Sequence, residues 1–428
     1  MSTPVTRESH VAPLDLAWVR AQFPSLQQTV NGHPAVFLDG PAGTQVSKRV
    51  MDAIQDYLLR SNANTCGAFA TSRRTDAMIA SARAAMAELL NCAPEEVFFG
   101  PNMTTITFAL ARAIGRELGQ GDEIVVTTLD HDANVAPWRA LEERGVIIRQ
   151  VDIRDTDCTL DMDDLRRKIT PRTRLVAAGY ASNAVGTINP VAEIIRIAHE
   201  AGALAFIDAV HYAPHGPIDV RALDCDFLAC SPYKFFGPHM GAIYGKRQHL
   251  EHFRPYKVRP APDTIPDRWE TGTQVHEGLA GVAAAIDYLA ELGRRSNPSV
   301  TSRREALLAA YRAIREHEMT LAAKLIRGLV EIPKLRFYGI SEPTRFGERV
   351  PTVGVRIEGH TPTEVATFLG ERGMFTWDGN YYALNLTERL GVESSGGLLR
   401  IGCVHYNTGE EVDRLLAALR EFTGRQKQ

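Results

Sequence analysis

Between residues 85 and 245, short apolar runs alternate with stretches whose apolar residues recur at helical spacing, and this alternation constrains the fold more than any other feature of the chain. Apolar runs separated by amphipathic helices build parallel sheets, because each crossover helix covers a sheet face that the strands leave apolar. Seven runs qualify as strands: Glu96 to Phe99, Glu123 to Thr127, Ile147 to Val151, Leu175 to Ala178, Leu204 to Ile207, Phe227 to Cys230 and Ala242 to Tyr244. Helices are expected over Thr105 to Glu117, Val135 to Glu143, Asp161 to Lys168 and Val191 to Ala201. The expected architecture is α/β, a doubly wound and mainly parallel seven-stranded sheet. In such a sheet ligands sit beyond the carboxyl ends of the strands, so the polar residues just after each run are the ones to inspect.

A chain of 428 residues, 44% of them hydrophobic, can bury a large core, and its length suits one large domain with a smaller one. A helix-like run from Gly278 through Leu292 leads into the polar stretch Gly293 to Arg304, which reads as a hinge. The expected division is an N-terminal segment over 1–35 packing on the small domain, a large domain over 36–292 and a smaller α+β domain over 293–428. In the last, Val353 to Ile357 and Leu398 to Gly402 are expected strands and Glu410 to Phe422 the closing helix. The charges nearly cancel, 48 Lys and Arg against 51 Asp and Glu, which removes the electrostatic motive for binding nucleic acid and points to a small-molecule ligand. Residues 1–16 hold no apolar secretory core, and no run of apolar residues is long enough to span a membrane, so a soluble, cytoplasmic protein is expected. The six cysteines, at 66, 92, 158, 225, 230 and 403, form no CxxC pair and read as scattered thiols.

Two residues at expected strand ends carry chemistry. Asp208 ends LAFID, and Lys234 follows the next strand in SPYKFFGP. A buried carboxylate keeps a neighbouring pyridine nitrogen protonated, and a lysine in the same cleft can form an imine with an aldehyde and act as a base once displaced. Singly, each has a plain structural reading, a surface lysine and a helix cap. The stretch FIDAVHYAPHGPIDVRALDCDFLACSPYKFFGPHMGAIYG joins them in an order and spacing that resemble the class V aminotransferases of fold type I, and within them the cysteine desulfurase-like proteins.

The resemblance runs from about Phe37 to the C-terminus. It implies pyridoxal 5'-phosphate as cofactor, held by Lys234 and Asp208, with Thr104 and Thr105 at a phosphate-binding helix start. His131 corresponds to the histidine that stacks on the cofactor ring, Asn183 to an asparagine near its phenolic oxygen, and Ser231 and Tyr233 to phosphate contacts. His211 stands where desulfurases usually have glutamine, a departure that weakens the desulfurase reading. Thr273, in WETGTQ, corresponds to a residue that reaches the neighbouring subunit's phosphate, which implies a homodimer with shared sites. Arg400 corresponds to the arginine that holds the substrate α-carboxylate, for which a planar guanidinium is well shaped.

The loop ERGMFTWDGNYYALNL carries Tyr382 or a neighbour where desulfurases have a nucleophilic cysteine. Its aromatic residues, Trp377 and Tyr382 among them, suggest a pocket wall for a larger or more apolar amino acid. Because the overall pattern is desulfurase-like and residue 382 offers no thiolate, carbon–sulfur cleavage by β-elimination is the preferred expectation. Transamination, epimerisation or decarboxylation on the same scaffold is the alternative, and a cofactor-binding protein without turnover is the third. Cys66, in a glycine-flanked loop that the resemblance puts toward an active-site entrance, is the one cysteine that could replace the missing nucleophile.

Overall fold

A computed structural model describes residues 13–424. The seven expected strands are present as β1 (Val97–Gly100), β2 (Glu123–Thr127), β3 (Ile147–Val151), β4 (Thr173–Gly179), β5 (Leu204–Asp208), β6 (Phe227–Cys230) and β7 (Gly241–Gly245). They form one sheet in the order β1-β7-β6-β5-β4-β2-β3. Only β7 runs against its neighbours; the other pairings are parallel.

Strand alternation divides the apolar residues between two layers. Val125, Val176 and Ile207 face one core, while Ile124, Val126, Leu175 and Phe206 face the other. The first is covered by α2 (Ala70–Leu90), α4 (Val191–Glu200) and α5 (His276–Ser296); the second is covered by α3 (Met103–Ile114). A further helix, α1 (Lys48–Arg60), packs on α5. The stretch Val135 to Glu143, expected as one helix, is a short helix over Ala136–Arg139 followed by a 3-10 turn, Ala140–Arg144, and Gly145 ends it at φ +82°.

Residues 293–304, read from sequence as a hinge, are the end of α5, a loop and the start of α6 (Arg303–Val330). Ser302 and Glu305 cap α6 reciprocally, side chain to amide. Gly293 lets the two helices touch: a Cβ there would lie 1.7 Å from the Ala306 carbonyl oxygen. The 28 residues of α6 serve both cores. Leu307, Ala310 and Ile314 enter the large one, and Leu321, Leu325 and Leu329 enter that of the C-terminal region.

The C-terminal region holds a four-stranded antiparallel sheet of β8 (Leu335–Tyr338), β9 (Thr352–Ile357), β10 (Trp377–Gly379) and β11 (Leu398–Gly402), ordered β8-β9-β11-β10. Helices α7 (Pro362–Gly370) and α8 (Gly409–Gly424) complete it. The described part of the N-terminal segment reaches both regions. Phe23 packs edge-on against Phe236, Tyr288 and Tyr406, and Arg20 pairs with Glu411 of α8 at 2.8 Å. The expectation for residues 1–12 lies outside the described residues. No helix among the described residues is long and apolar enough to cross a membrane.

Candidate active site

The carboxyl ends of β1, β2, β4, β5 and β6 open onto one cavity, as expected of a doubly wound sheet. Its lining brings together Thr104, His131, Asn183, Asp208, His211, Ser231, Tyr233 and Lys234, eight of the residues picked out from sequence. Lys234 ends a tight turn after β6 in which its amide donates to Ser231 O at 3.0 Å. The turn is held from outside by Thr44, whose amide donates to Tyr233 O at 3.0 Å and whose hydroxyl accepts the Phe236 amide at 2.8 Å. The Lys234 ammonium donates to the Pro41 carbonyl. Burial, reinforced by the Arg400 charge, lowers its pKa to about 7.

Asp208 closes β5, and its Oδ1 accepts the Val210 amide at 2.9 Å. Burial raises its pKa to about 6 against the pull of Lys234. His131 follows β2, and its Nδ1 accepts the Ala133 amide at 3.0 Å. Burial, with the charges of Lys234 and Arg400, lowers its pKa to about 4, so the ring is neutral at neutral pH. Asn183 gives its Nδ2 to Tyr381 O at 2.9 Å, while its Oδ1 has no partner among the described residues. His211 bonds Thr352 Oγ1 of β9 through Nε2 at 3.0 Å, and its Nδ1 is likewise unpartnered. At the start of α3, Thr104 lines the cavity. The Thr105 amide is already taken, by Asn102 Oδ1 at 2.8 Å.

A second depression adjoins the cavity and shares His131, Asn183, Tyr233 and Lys234 with it. Arg400 of β11 and the aromatic loop form its outer wall. The Arg400 guanidinium donates to Asn183 O at 3.0 Å and sits 4.1 Å from the Tyr381 ring centroid. Tyr382 stacks on His131, centroids 5.3 Å apart and planes 25° from parallel. Thr273 lies elsewhere: it lines a separate surface depression together with Cys66, and none of that depression's residues belongs to the Lys234 cavity.

Sequence reasoning missed four neighbours of the site. Pro41 and Thr44 meet the lysine turn across some 190 residues of chain, and no local pattern signals that. Asp39, raised to about 6 by burial, lies in the field of Arg400. Asp130 was findable, since it is a polar residue just after β2. It lines the cavity, and its Oδ2 accepts the amide and hydroxyl of Thr127 at 3.2 and 2.9 Å.

A buried lysine and a buried aspartate at successive strand ends, beneath an arginine from the second region, mark an enzyme of the aminotransferase class. The chain belongs to the class-V aminotransferase family, whose model matches residues 36–415. It is similar to the cysteine desulfurase of Dickeya dadantii (strain 3937), at 34% identity over 94% of this chain and 95% of that one. It is also similar to the aminotransferase-like protein FGM3 of Gibberella zeae, at 32% identity over 94% and 96%. The apo structure of a cysteine desulfurase from Thermococcus onnurineus NA1 superposes with a TM-score of 0.83 at 26% identity, covering 99% of both chains. The cysteine desulfurase CsdA of Escherichia coli gives 0.80 at 28%, covering 95% of this chain and 98% of that one.

Proposed function

We propose that the protein is a pyridoxal-phosphate-dependent lyase that cleaves the carbon–sulfur bond of cysteine or an S-substituted cysteine by β-elimination. The observation that carries the reading is the convergence of Lys234 and Asp208 in one buried cavity next to Arg400. The residues present fit the cofactor. Asn183 and His211, which line the cavity, each hold a buried atom without a partner among the described residues, and the start of α3 offers backbone N–H groups to a phosphate. Lys234 would hold the aldehyde carbon, Asp208 the ring nitrogen, His131 one ring face, and Thr104, Ser231 and Tyr233 the phosphate side. Bound there, pyridoxal phosphate supplies an electron sink for the bond broken at the substrate Cα.

The chain supplies the rest. Arg400 pairs with the α-carboxylate, and its own burial favours a partner of opposite charge. Lys234, ionising near neutrality, takes the Cα proton on Nζ. The sulfur leaves with the electron pair of the broken bond and is protonated to a thiol. Water completes the balance: substrate and water give thiol, pyruvate and ammonia. Release of free thiol is favoured because no cysteine lines the cavity or the depression beside it. Cys66 is exposed and lies with Thr273 in the separate depression. The proposed assembly is a cytoplasmic homodimer in which Thr273 serves the site of the second subunit.

Borohydride reduction of the cofactor-loaded protein, followed by peptide mapping, tests the root of this reading. The pyridoxyl label is expected on Lys234, and a label on any other lysine overturns it. Incubation is expected to release pyruvate in equal amounts with sulfide from cysteine, or with thiol from an S-substituted cysteine, without a persulfide on Cys66. A persulfide there replaces elimination by sulfur transfer.

A further inference from the structure

Where Arg400 holds a carboxylate, the register of the small sheet fixes what stands beside it. Trp377 is the direct partner of Arg400 across β10 and β11. Residues opposite one another on neighbouring strands project to the same face, with Cβ atoms about 4.5–5.5 Å apart. The Trp377 side chain is nevertheless 50% exposed, and Tyr382, stacked on His131, is 70% exposed. Two large rings that serve no core therefore flank a depression of about 650 Å³ that reaches down to Lys234. That size falls within the roughly 300–1,000 Å³ of sites that enclose drug-sized ligands. The side chain of free cysteine ends at its sulfur and would leave both rings uncovered.

The loop that carries Tyr382 is held in place by the site itself. Tyr381 and Tyr382 both adopt left-handed backbone, φ +54° and +58°, which side-chain-bearing residues rarely do. The Asp132 amide donates to Tyr382 O at 2.6 Å, and Asn183 Nδ2 donates to Tyr381 O at 2.9 Å. Both donors come from segments that wall the cavity. The carboxylates at the mouth accept side-chain hydrogen bonds, Asp378 from Thr363 and Glu393 from Asn380 and Thr387.

We propose that Trp377 and Tyr382 form an aromatic slot that selects amino acids with a large, planar apolar side chain, an S-aryl or S-aralkyl cysteine in preference to free cysteine. The inference rests on the reading above, in which Arg400 takes the α-carboxylate. An aromatic substituent anchored there buries its own surface and that of both rings, and stacking adds to the burial term.

The test titrates the cofactor-loaded enzyme with S-benzylcysteine and with cysteine. Affinity is read from the cofactor's visible absorbance and from tryptophan fluorescence, with pyruvate and thiol followed in parallel. S-benzylcysteine is expected to bind about tenfold tighter than cysteine. Tyr382→Ala and Trp377→Ala should each erase most of that ratio through KM rather than kcat, while Tyr382→Phe, which keeps the ring, should retain it. Equal or tighter binding of cysteine, or variants that weaken both ligands alike, overturns the slot while pyruvate release upholds the lyase. A preference for S-benzylcysteine without pyruvate upholds the slot and overturns carbon–sulfur cleavage. Binding of neither ligand overturns both.

Discussion

Asp130 shows how the site works against the fold that carries it. Its carboxyl is fully enclosed, its Oδ1 has no partner among the described residues, and a Cβ on the facing Gly179 would come within 2.6 Å of that oxygen. Burial, with the nearby Asp208 charge, raises its pKa to about 7, whereas an unfolded aspartate ionises near 3.9. The sign follows from that pair of values. Below about pH 4 the group is protonated in both states and contributes nothing. Between about 4 and 7 only the unfolded state sheds its proton, so stability falls as the pH rises, and above about 7 the full cost is present. Asp130→Asn removes this titration and keeps an acceptor for Thr127. The cofactor-free variant should be more stable than the wild type at pH 8, by a margin on the order of a few kcal/mol, and the gap should close toward pH 4. Calorimetry across that range checks it, and a gap that persists at pH 4 assigns the gain to packing.

Among the elements, those set by short-range pattern were legible and those set by distant contact were not. Most strands of the large sheet could be read because they are short apolar runs, and two of their ends exposed Asp208 and Lys234, while His131 came from the family resemblance. In sequence, Gly293 and the charged residues around it look like a linker; in the structure they lie where α5 and α6 meet. Glycine is there for close approach, and the charges lie on the outside of a helical corner: Arg303 pairs with Glu88 and Asp287. Gly293→Ala tests this directly. The added methyl must push α5 away from the Ala306 carbonyl, so a loss of roughly 1–3 kcal/mol or more is expected in denaturant unfolding. A true hinge would tolerate the change. Pro41 and Thr44 stayed hidden because their partners, Tyr233, Lys234 and Phe236, lie far away in sequence.

At the scale of the whole molecule, the proposed dimer turns on Thr273, which lines the separate depression with Cys66. Val258, an exposed apolar residue, lines the same depression. In the proposed dimer a Lys234→Ala chain still offers Thr273 to its partner, and a Thr273→Ala chain still offers Lys234. Mixing the two inactive proteins should therefore restore turnover in the heterodimer, measured as pyruvate release after co-refolding. Mixtures as silent as their parents would return Thr273 to a structural role within its own chain. The N-terminal segment carries a different consequence, one of timing. Arg20 bonds the carbonyl of Tyr406, 386 residues further along, and Phe23 packs on the Tyr406 ring. At ~5–20 residues per second a ribosome needs roughly 20 to 80 seconds to make that partner. For that interval Arg20 and Phe23 wait on the growing chain without their final neighbour.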